Sequence, residues 1–400
     1  MKQNLFDASS KLTTFKVSLP NFVIPAESLN ECEVSWNIKE IKVEAVLNTI
    51  DRLDFLNSFK TFKPEDNYIT IYLEDAKPDP KTKKNGIMER KFVITDISEI
   101  KDDNTNNKTH EIRLIDSVSY LLKNTFYSKG YSNVYFSDVV NDILTTFKIK
   151  DLLPTNAEIV INKSKDERKN FVIPQNKSLY EFLMYQADQE GCIIYQDKGG
   201  FYMKHITDLY VKNLNKIDTT KTYKQNVSDT FYPYRVIDVI SNFNNNYNNL
   251  EFPRTTTYVY NPSNKTVFRK KQNFEELYSD INFTKSEEKY IQNTTGNYFD
   301  IAEVNLSDYA LVKNTYLNYL NNNITNIVSP GSITGNILLE QRDIFIVGDT
   351  TETDGHIKGN ETLNGNYIVT KISDKILMNK YIQNLNFCRI NNSDKTTIKG

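Results

Sequence analysis

Histidine is almost absent from this chain: His110, His205 and His356 are the only three in 400 residues. No HExxH or paired-histidine motif occurs, so a multi-histidine metal site is not expected. His110 and His205 read as ordinary surface or partly buried strand residues, and His356 as solvated in a Gly/Asp-rich loop. Cysteine is equally scarce. Cys32, Cys192 and Cys388 lie far apart and form no CxxC pair, which suggests a reducing compartment and no disulfide framework. Charge of one sign does not dominate either. With 49 Lys+Arg against 51 Asp+Glu, the net charge is −2, which argues against a general affinity for nucleic acid. The basic run Lys77 to Lys84 is interrupted by Pro78, Asp79 and Pro80 and reads as a solvated loop. No apolar run approaches the roughly 20 residues of a membrane span, and Met1 to Leu12 has no apolar signal core. GxSxG, Walker A and GxGxxG are missing too. No catalytic residue, cofactor or metal site is therefore assigned. A glycosidase-like carboxylate pair has no local spacing rule, and nothing specific supports one here.

What the chain does have is aromatic and β-branched character, with 25 Tyr, 22 Phe and a single Trp. The length allows two to four domains. Period-two alternation, which buries one face of a strand, runs through Phe15 to Leu19, Val34 to Ile38, Ile41 to Leu47 and Ile69 to Leu73. Lys77 to Gly86 reads as a hairpin loop. Strands Phe92 to Ile100 and Glu111 to Ile115 follow. The pattern then turns helical. Val118, Leu121 and Leu122 fit a short helix, and Val140, Ile143, Leu144 and Phe147 fit a second with Ser137 as its N-cap. A third helix carries Ser178 and Glu181 as a capping box, Leu179, Phe182, Leu183 and Ala187 as its apolar stripe, and Gly191 as its stop. Strands Cys192 to Gln196 and Gly200 to Ile206 flank the tight turn Asp197-Lys198-Gly199. Residues 207–305 are rich in Asn, Tyr and Thr, with strand-like patches at Tyr234 to Ile240 and Thr255 to Tyr260. A helix is expected over Ser307 to Leu320, and strands over Ile324 to Ile390.

The two ends are alike. Phe92-Val93-Ile94-Thr95-Asp96-Ile97-Ser98 has the same order of residue types as Tyr367-Ile368-Val369-Thr370-Lys371-Ile372-Ser373. Each run is preceded by a strand ending in Asp and followed by a turn and another strand. A repeat of this kind decides architecture. The expectation is an α+β, mainly β chain: two similar small antiparallel β-barrel (tube-like) domains plus α+β insert domains. The boundaries are 1–116 for the first barrel and 117–225 for an α+β domain with capped helices. An irregular or mixed insert with part of the second barrel covers 226–322, and the second barrel 323–400. Phe92, Thr95, Ile97, Tyr367, Thr370 and Ile372 are the interface and structural candidates of the repeat. Ser178, Glu181, Phe182 and Gly191 are those of the capped helix. Unrelated folds at the two ends, or their packing together as one sheet, would end the case for a duplicated barrel.

The run Phe171 to Pro174, the capped segment Ser178 to Leu183 and Ala187 to Tyr195 together resemble the central baseplate hub protein of contractile-tailed phages. More distantly the chain resembles the hub portion of type VI secretion spike proteins. The resemblance covers nearly the full length in element order, and residues 207–305 depart most from it. It implies a structural, non-enzymatic homotrimer in the virion tail baseplate, assembled in the host cytoplasm. The implied partners are the hexameric tail tube, a trimeric spike of tail-lysozyme type and the surrounding baseplate wedge proteins. DNA would pass through a channel without sequence-specific binding, and any lytic activity would belong to the spike. The alternative is a receptor- or glycan-binding tail protein, for which the Tyr-rich middle would be a stacking surface. A subunit interface is the preferred reading of those aromatics.

Overall fold

The computed structural model describes residues 10–19, 22–50, 68–78, 85–101, 108–163, 168–205, 222–225, 236–239, 254–261, 265–271, 297–303, 331–334, 344–349, 365–377 and 380–391. Strands dominate, with three α-helices among the described residues.

Six N-terminal strands make a curled antiparallel unit. They are β1 (Ser10–Leu19), β3 (Leu29–Asn37), β4 (Glu44–Ile50), β5 (Tyr68–Pro78), β6 (Asn85–Lys101) and β7 (Lys108–Asp116). Short β2 (Phe22–Ile24) folds back on β1. Their order in space is β1-β5-β6-β7-β4-β3. The alternation in each strand turns one set of side chains inward. Val17, Val34, Trp36, Leu47, Ile71 and Phe92 meet there in a single buried core.

This unit does not close on itself. β1 and β3 remain as edges, and unpaired backbone polar groups are costly when covered and sticky when bare. The C-terminal hairpin fills the gap. It consists of β20 (Gly365–Leu377) and β21 (Lys380–Asn391). Lys371 to Leu377 of β20 pair with Asn37 to Glu31 of β3, and Lys380 and Tyr381 of β21 pair with Lys11 and Ser10 of β1. The pairings then run in a closed circuit, β1-β5-β6-β7-β4-β3-β20-β21. Val369, Ile372, Ile376, Tyr381 and Leu385 complete the N-terminal core.

The expectation of two separate barrels, one at each end, therefore does not hold: both ends lie in one 13-stranded sheet. The physical reason is the open pair of edges on the first unit. The likeness of the ends nevertheless goes deeper than the sequence run. Four more strands flank the hairpin: β13 (Thr222–Gln225), β14 (Val236–Val239), β18 (Gly331–Thr334) and β19 (Ile344–Asp349). The order β13-β19-β20-β21-β18-β14 repeats that of the first unit, both in space and in chain sequence.

Two irregularities recur at matching places. In β6 the ladder to β7 skips Thr95, and in β20 the ladder to β21 skips Thr370. Each bulged threonine donates its hydroxyl across the ladder. Thr95 reaches the Arg113 carbonyl at 3.0 Å and Thr370 the Asn386 carbonyl at 3.1 Å. Likewise β3 skips Asn30 against β4, and β14 skips Ile237 against β18. One difference is that β13 runs parallel to β19, whereas β1 is antiparallel to β5. The second set also draws on strands from Thr222 onward.

Between the two sets sits an α+β unit with its own core. It holds α1 (Ser117–Asn124), α2 (Phe136–Thr146) and α3 (Leu179–Gln189). β8 (Lys129–Val134) pairs with β10 (Lys169–Ile173). β9 (Glu158–Ile161), β11 (Cys192–Asp197) and β12 (Gly200–His205) form a three-stranded sheet. A further small sheet joins β15 (Arg254–Asn261), β16 (Thr266–Lys271) and β17 (Asn297–Glu303).

Several local expectations change. Ile38 to Val43 is a turn and loop, not strand. Its apolar residues are still buried, and Ile41 belongs to the core of the α+β unit. Ser137 lies inside α2 and is buried; Tyr135 precedes that helix, its N–H donating to Asp138 at 3.1 Å. His110 and His205 are buried rather than superficial. Cys32 and Cys192 are buried and form no disulfide. The expected helix Ser307 to Leu320, the strand Ile324 to Val328 and the loop around His356 lie outside the described residues.

The capping box at α3 forms as read. The Glu181 N–H donates to Ser178 Oγ at 3.3 Å, and the Ser178 N–H donates to Glu181 Oε2 at 2.9 Å. Gly191, at φ 65°, ends the helix in the left-handed region. The Ser178 backbone N–H, then its hydroxyl, hold the Glu181 carboxyl below its ordinary range. That contribution is present above the unfolded carboxylate value and fades as pH falls through the lower folded one. Ser178→Ala is expected to cost about 1 kcal/mol, read as a shift in the urea midpoint. The deficit should shrink as the titration is repeated toward acid pH.

Candidate functional site

Three inward-facing strand positions carry polar residues where the alternation calls for apolar ones. Arg90 stands between Met88 and Phe92, Asp374 between Ile372 and Ile376, and Gln383 between Tyr381 and Leu385; all nine are buried. A buried polar group needs partners, and these groups converge at one place. There the sheet meets the α+β unit.

The first cluster surrounds Arg90. Its Nη2 lies 3.3 Å from Asp116 Oδ2, with both side chains almost fully enclosed. Nη1 donates to the Asp197 carbonyl at 3.3 Å, and Nη2 also donates to Gln196 Oε1. Asp116 serves twice, since its carboxylate also caps α1 by accepting the N–H groups of Val118 and Ser119 at 3.1 and 3.2 Å. Gln196 Nε2 reaches the Ile41 carbonyl at 2.7 Å, and Asp116 Oδ1 and Ser119 Oγ at 3.1 Å each.

The second cluster surrounds Asp374. Oδ1 accepts from Lys198 Nζ at 2.9 Å, Tyr381 Oη at 2.6 Å and Gln383 Nε2 at 2.7 Å. Oδ2 accepts from Trp36 Nε1 at 2.8 Å. Trp36 joins the clusters, because the Arg90 guanidinium lies 5.5 Å from the centroid of its ring. Two cations, Arg90 and Lys198, thus offset two carboxylates, Asp116 and Asp374.

The β11–β12 turn acts as a peg. Gln196, Asp197 and Lys198 sit at its tip and reach groups on β6, β20, β21 and the N-terminus of α1. The junction binds the first six strands, the C-terminal hairpin and the α+β unit into one body. The nearby Cys32 thiol is pushed far up, first by burial and then by Asp374, Glu33 and Glu31, so it stays protonated and unreactive. Among the described residues, no group of three or more His, Cys, Asp or Glu could hold a metal ion. A groove of about 410 Å³ between β10 and α3 contains the Lys169–Glu190 ion pair at 3.0 Å.

The residues singled out from the sequence are not gathered here. Phe92 and Ile372 lie in the common core of the ring. Thr95 and Thr370 make the two matching bulges. Ile97 is on β6 beyond the bulge, and Tyr367 on β20 before it. Ser178, Glu181 and Gly191 delimit α3, and Phe182 fills the core of the α+β unit. The sequence reading missed Trp36, Arg90, Gln196, Lys198, Asp374, Tyr381 and Gln383 as a group. The usable signal was the charge at an apolar phase of a strand.

Removing one member of an enclosed ion pair leaves the other charge unmatched, at a cost of about 3–5 kcal/mol. Asp374→Ala is expected to lower stability by that order in urea unfolding. The double change Asp374→Ala with Lys198→Met should recover a substantial part. A loss near zero for the single change would mean that Lys198 is not held by this carboxylate.

No family model matches the chain, and no curated protein matches it in sequence. Solved structures do. A tail protein of Neisseria meningitidis aligns over 95% of this chain and 98% of its own, with TM-score 0.57 and 8% identity. The 43 kDa tail protein of prophage MuSo2 from Shewanella oneidensis aligns over 95% and 99%, with TM-score 0.54 and 10% identity. A type VI secretion component of E. coli aligns over 94% and 76%, with TM-score 0.46 and 12% identity. At near-complete coverage of both chains, this protein shares the fold of the Neisseria and Shewanella tail proteins.

Proposed function

We propose that this chain is a structural subunit of a contractile-tail baseplate hub, acting as a homotrimer and not as an enzyme. The observation that carries the reading is the doubled strand order, with its two pairs of matching bulges. A chain that holds two like units presents six of them when three copies form a ring. One face can then meet a six-fold tail tube and the other a three-fold spike, which is the geometric role of a symmetry adapter. The fold shared with two tail proteins supports the setting. Surrounding wedge proteins and a central channel for passing DNA belong to the same proposal. The net charge of −2 suits a channel that lets a polyanion through without gripping it.

The buried junction fits a mechanical role. A hub must keep two barrel-like units in fixed relation under load, and an enclosed polar lock gives one specific arrangement where apolar packing alone would tolerate several. A receptor- or glycan-binding role is the alternative, and it rests on the aromatic content of 207–305.

The test is the mass of the full chain in solution across a wide concentration range, by light scattering. The expected result is three times the 46.5 kDa of one chain. A chain that stays single at every concentration would overturn the hub reading, and binding of such a monomer to cell-surface glycan would favour the receptor role.

A further inference from the structure

In the α+β unit, β10 and α3 are joined by the turn Pro174 to Lys177 and run back along each other. Lys169 at the start of the strand therefore meets Glu190 past the end of the helix. Between them lies the groove of about 410 Å³. Its lining shows which part of the strand it follows. A cleft over the face of a strand touches every second residue, whereas one along its edge touches successive residues. This groove meets Lys169, Asn170, Phe171 and Val172 in succession. No residue of β8 lines it, so it follows the edge of β10 that β8 does not occupy. On the helix it meets Tyr185, Gln186 and Gln189 besides Glu190, the spacing of one helix flank.

The strand along this groove is regular. The one irregularity in its ladder falls on β8, where Ser132 and Asn133 together stand opposite Asn170. Asn133 takes a left-handed backbone, φ 55°, which asparagine tolerates. Asn170 Oδ1 accepts the Asn133 N–H at 2.9 Å and the Ser132 hydroxyl at 3.2 Å. β10 itself keeps strict alternation. Phe171 and Ile173 are buried, and Val172 between them is 67% exposed. Across the groove, Tyr185 is 44% exposed. Two large apolar side chains thus flank a cleft whose wall is a regular strand edge.

We propose that this groove receives an extended peptide segment of a partner protein, an apolar stretch led by acidic residues, as a third strand beside β10. A strand edge that faces a helix across a cleft is suited to strand addition, in which the main-chain ladder gives affinity and alternate side chains give specificity. One backbone edge of the segment pairs with β10. Its other edge faces Gln186 and Gln189, whose amides each offer a donor and an acceptor, as a peptide group does. Every second side chain of the segment packs on Val172 and Tyr185. The proposal is independent of how many chains form the hub.

Charge sets the composition and the direction. Of the charged groups lining the groove, Glu190 is already matched by Lys169 at 3.0 Å. Lys177 is exposed beside it, with its ammonium 4.8 Å from the centroid of the Tyr185 ring. The nearby Glu181 carboxylate is turned to Ser178 at the start of the helix. Lys177 follows the end of β10, so the surplus positive charge lies at the Val172 end of the groove. Antiparallel addition, the more stable pairing, brings the N-terminal end of the segment there. Acidic residues at that end complement Lys177.

The experiment uses the full chain and a fluorescein-labelled synthetic peptide in which two aspartates lead a run of alternating valine and threonine. Its anisotropy titration is expected to saturate below about 1 mM. Tyr185→Ala and Lys177→Glu should each weaken binding about tenfold. A peptide led by two lysines should bind the Lys177→Glu chain and not the unmodified one. Both positions are exposed, and an unchanged urea midpoint confirms that each variant is folded. Groove-side amides within 169–173 should exchange about tenfold more slowly with peptide present, and those of β11 at an unchanged rate. Absence of saturation with either leader would overturn the proposal. So would binding that survives Tyr185→Ala and slows no amide of β10. Equal affinity of both peptides for both chains would overturn the acidic leader.

Discussion

An open pair of strand edges is the constraint from which the architecture follows. The six N-terminal strands curl but cannot join β1 to β3, and bare backbone edges invite pairing with whatever is near. The chain meets this by bringing in a hairpin from more than 250 residues downstream, β20–β21. That single insertion completes the first core, attaches the second unit and places the bulge at Thr370 at the junction. It also explains why the termini share a sheet. The bent strands β20 and β21 are long because each serves two units, pairing first with β19 and β18 and then with β3 and β1.

The polar junction follows from that insertion. A hairpin closing a ring by backbone pairing alone could slip by two residues and keep the same face inward. Asp374 removes that freedom, because only one register sets it against the Trp36 indole N–H, the Lys198 ammonium and the Gln383 amide at once. Each of those donors comes from a different stretch of chain. The price in desolvation is met by the number of hydrogen bonds, four on one carboxylate, and by the matched charge of Lys198. Arg90 repeats the logic one step away, tying the start of α1 through Asp116 to the peg at Gln196.

Local elements were legible because their signals are local. The capping box of α3 needs only Ser178, Glu181 and Gly191 in sequence, and the strands of the first unit need only period-two alternation. The repeat showed in Thr95 and Thr370 because a bulge demands a residue whose side chain can serve the backbone. What failed were properties set by distant chain. Ile41 alternates with Val43 like a strand, yet it leaves the sheet and packs in the core of the α+β unit, while Val43 stays in the sheet core. Separate end barrels could not be told from a shared sheet, since alternation says which face is buried and nothing about which strand lies alongside. The junction was hidden for the same reason: Arg90 and Asp374 are each odd in their own strand, and only the fold pairs them with partners 26 and 176 residues away.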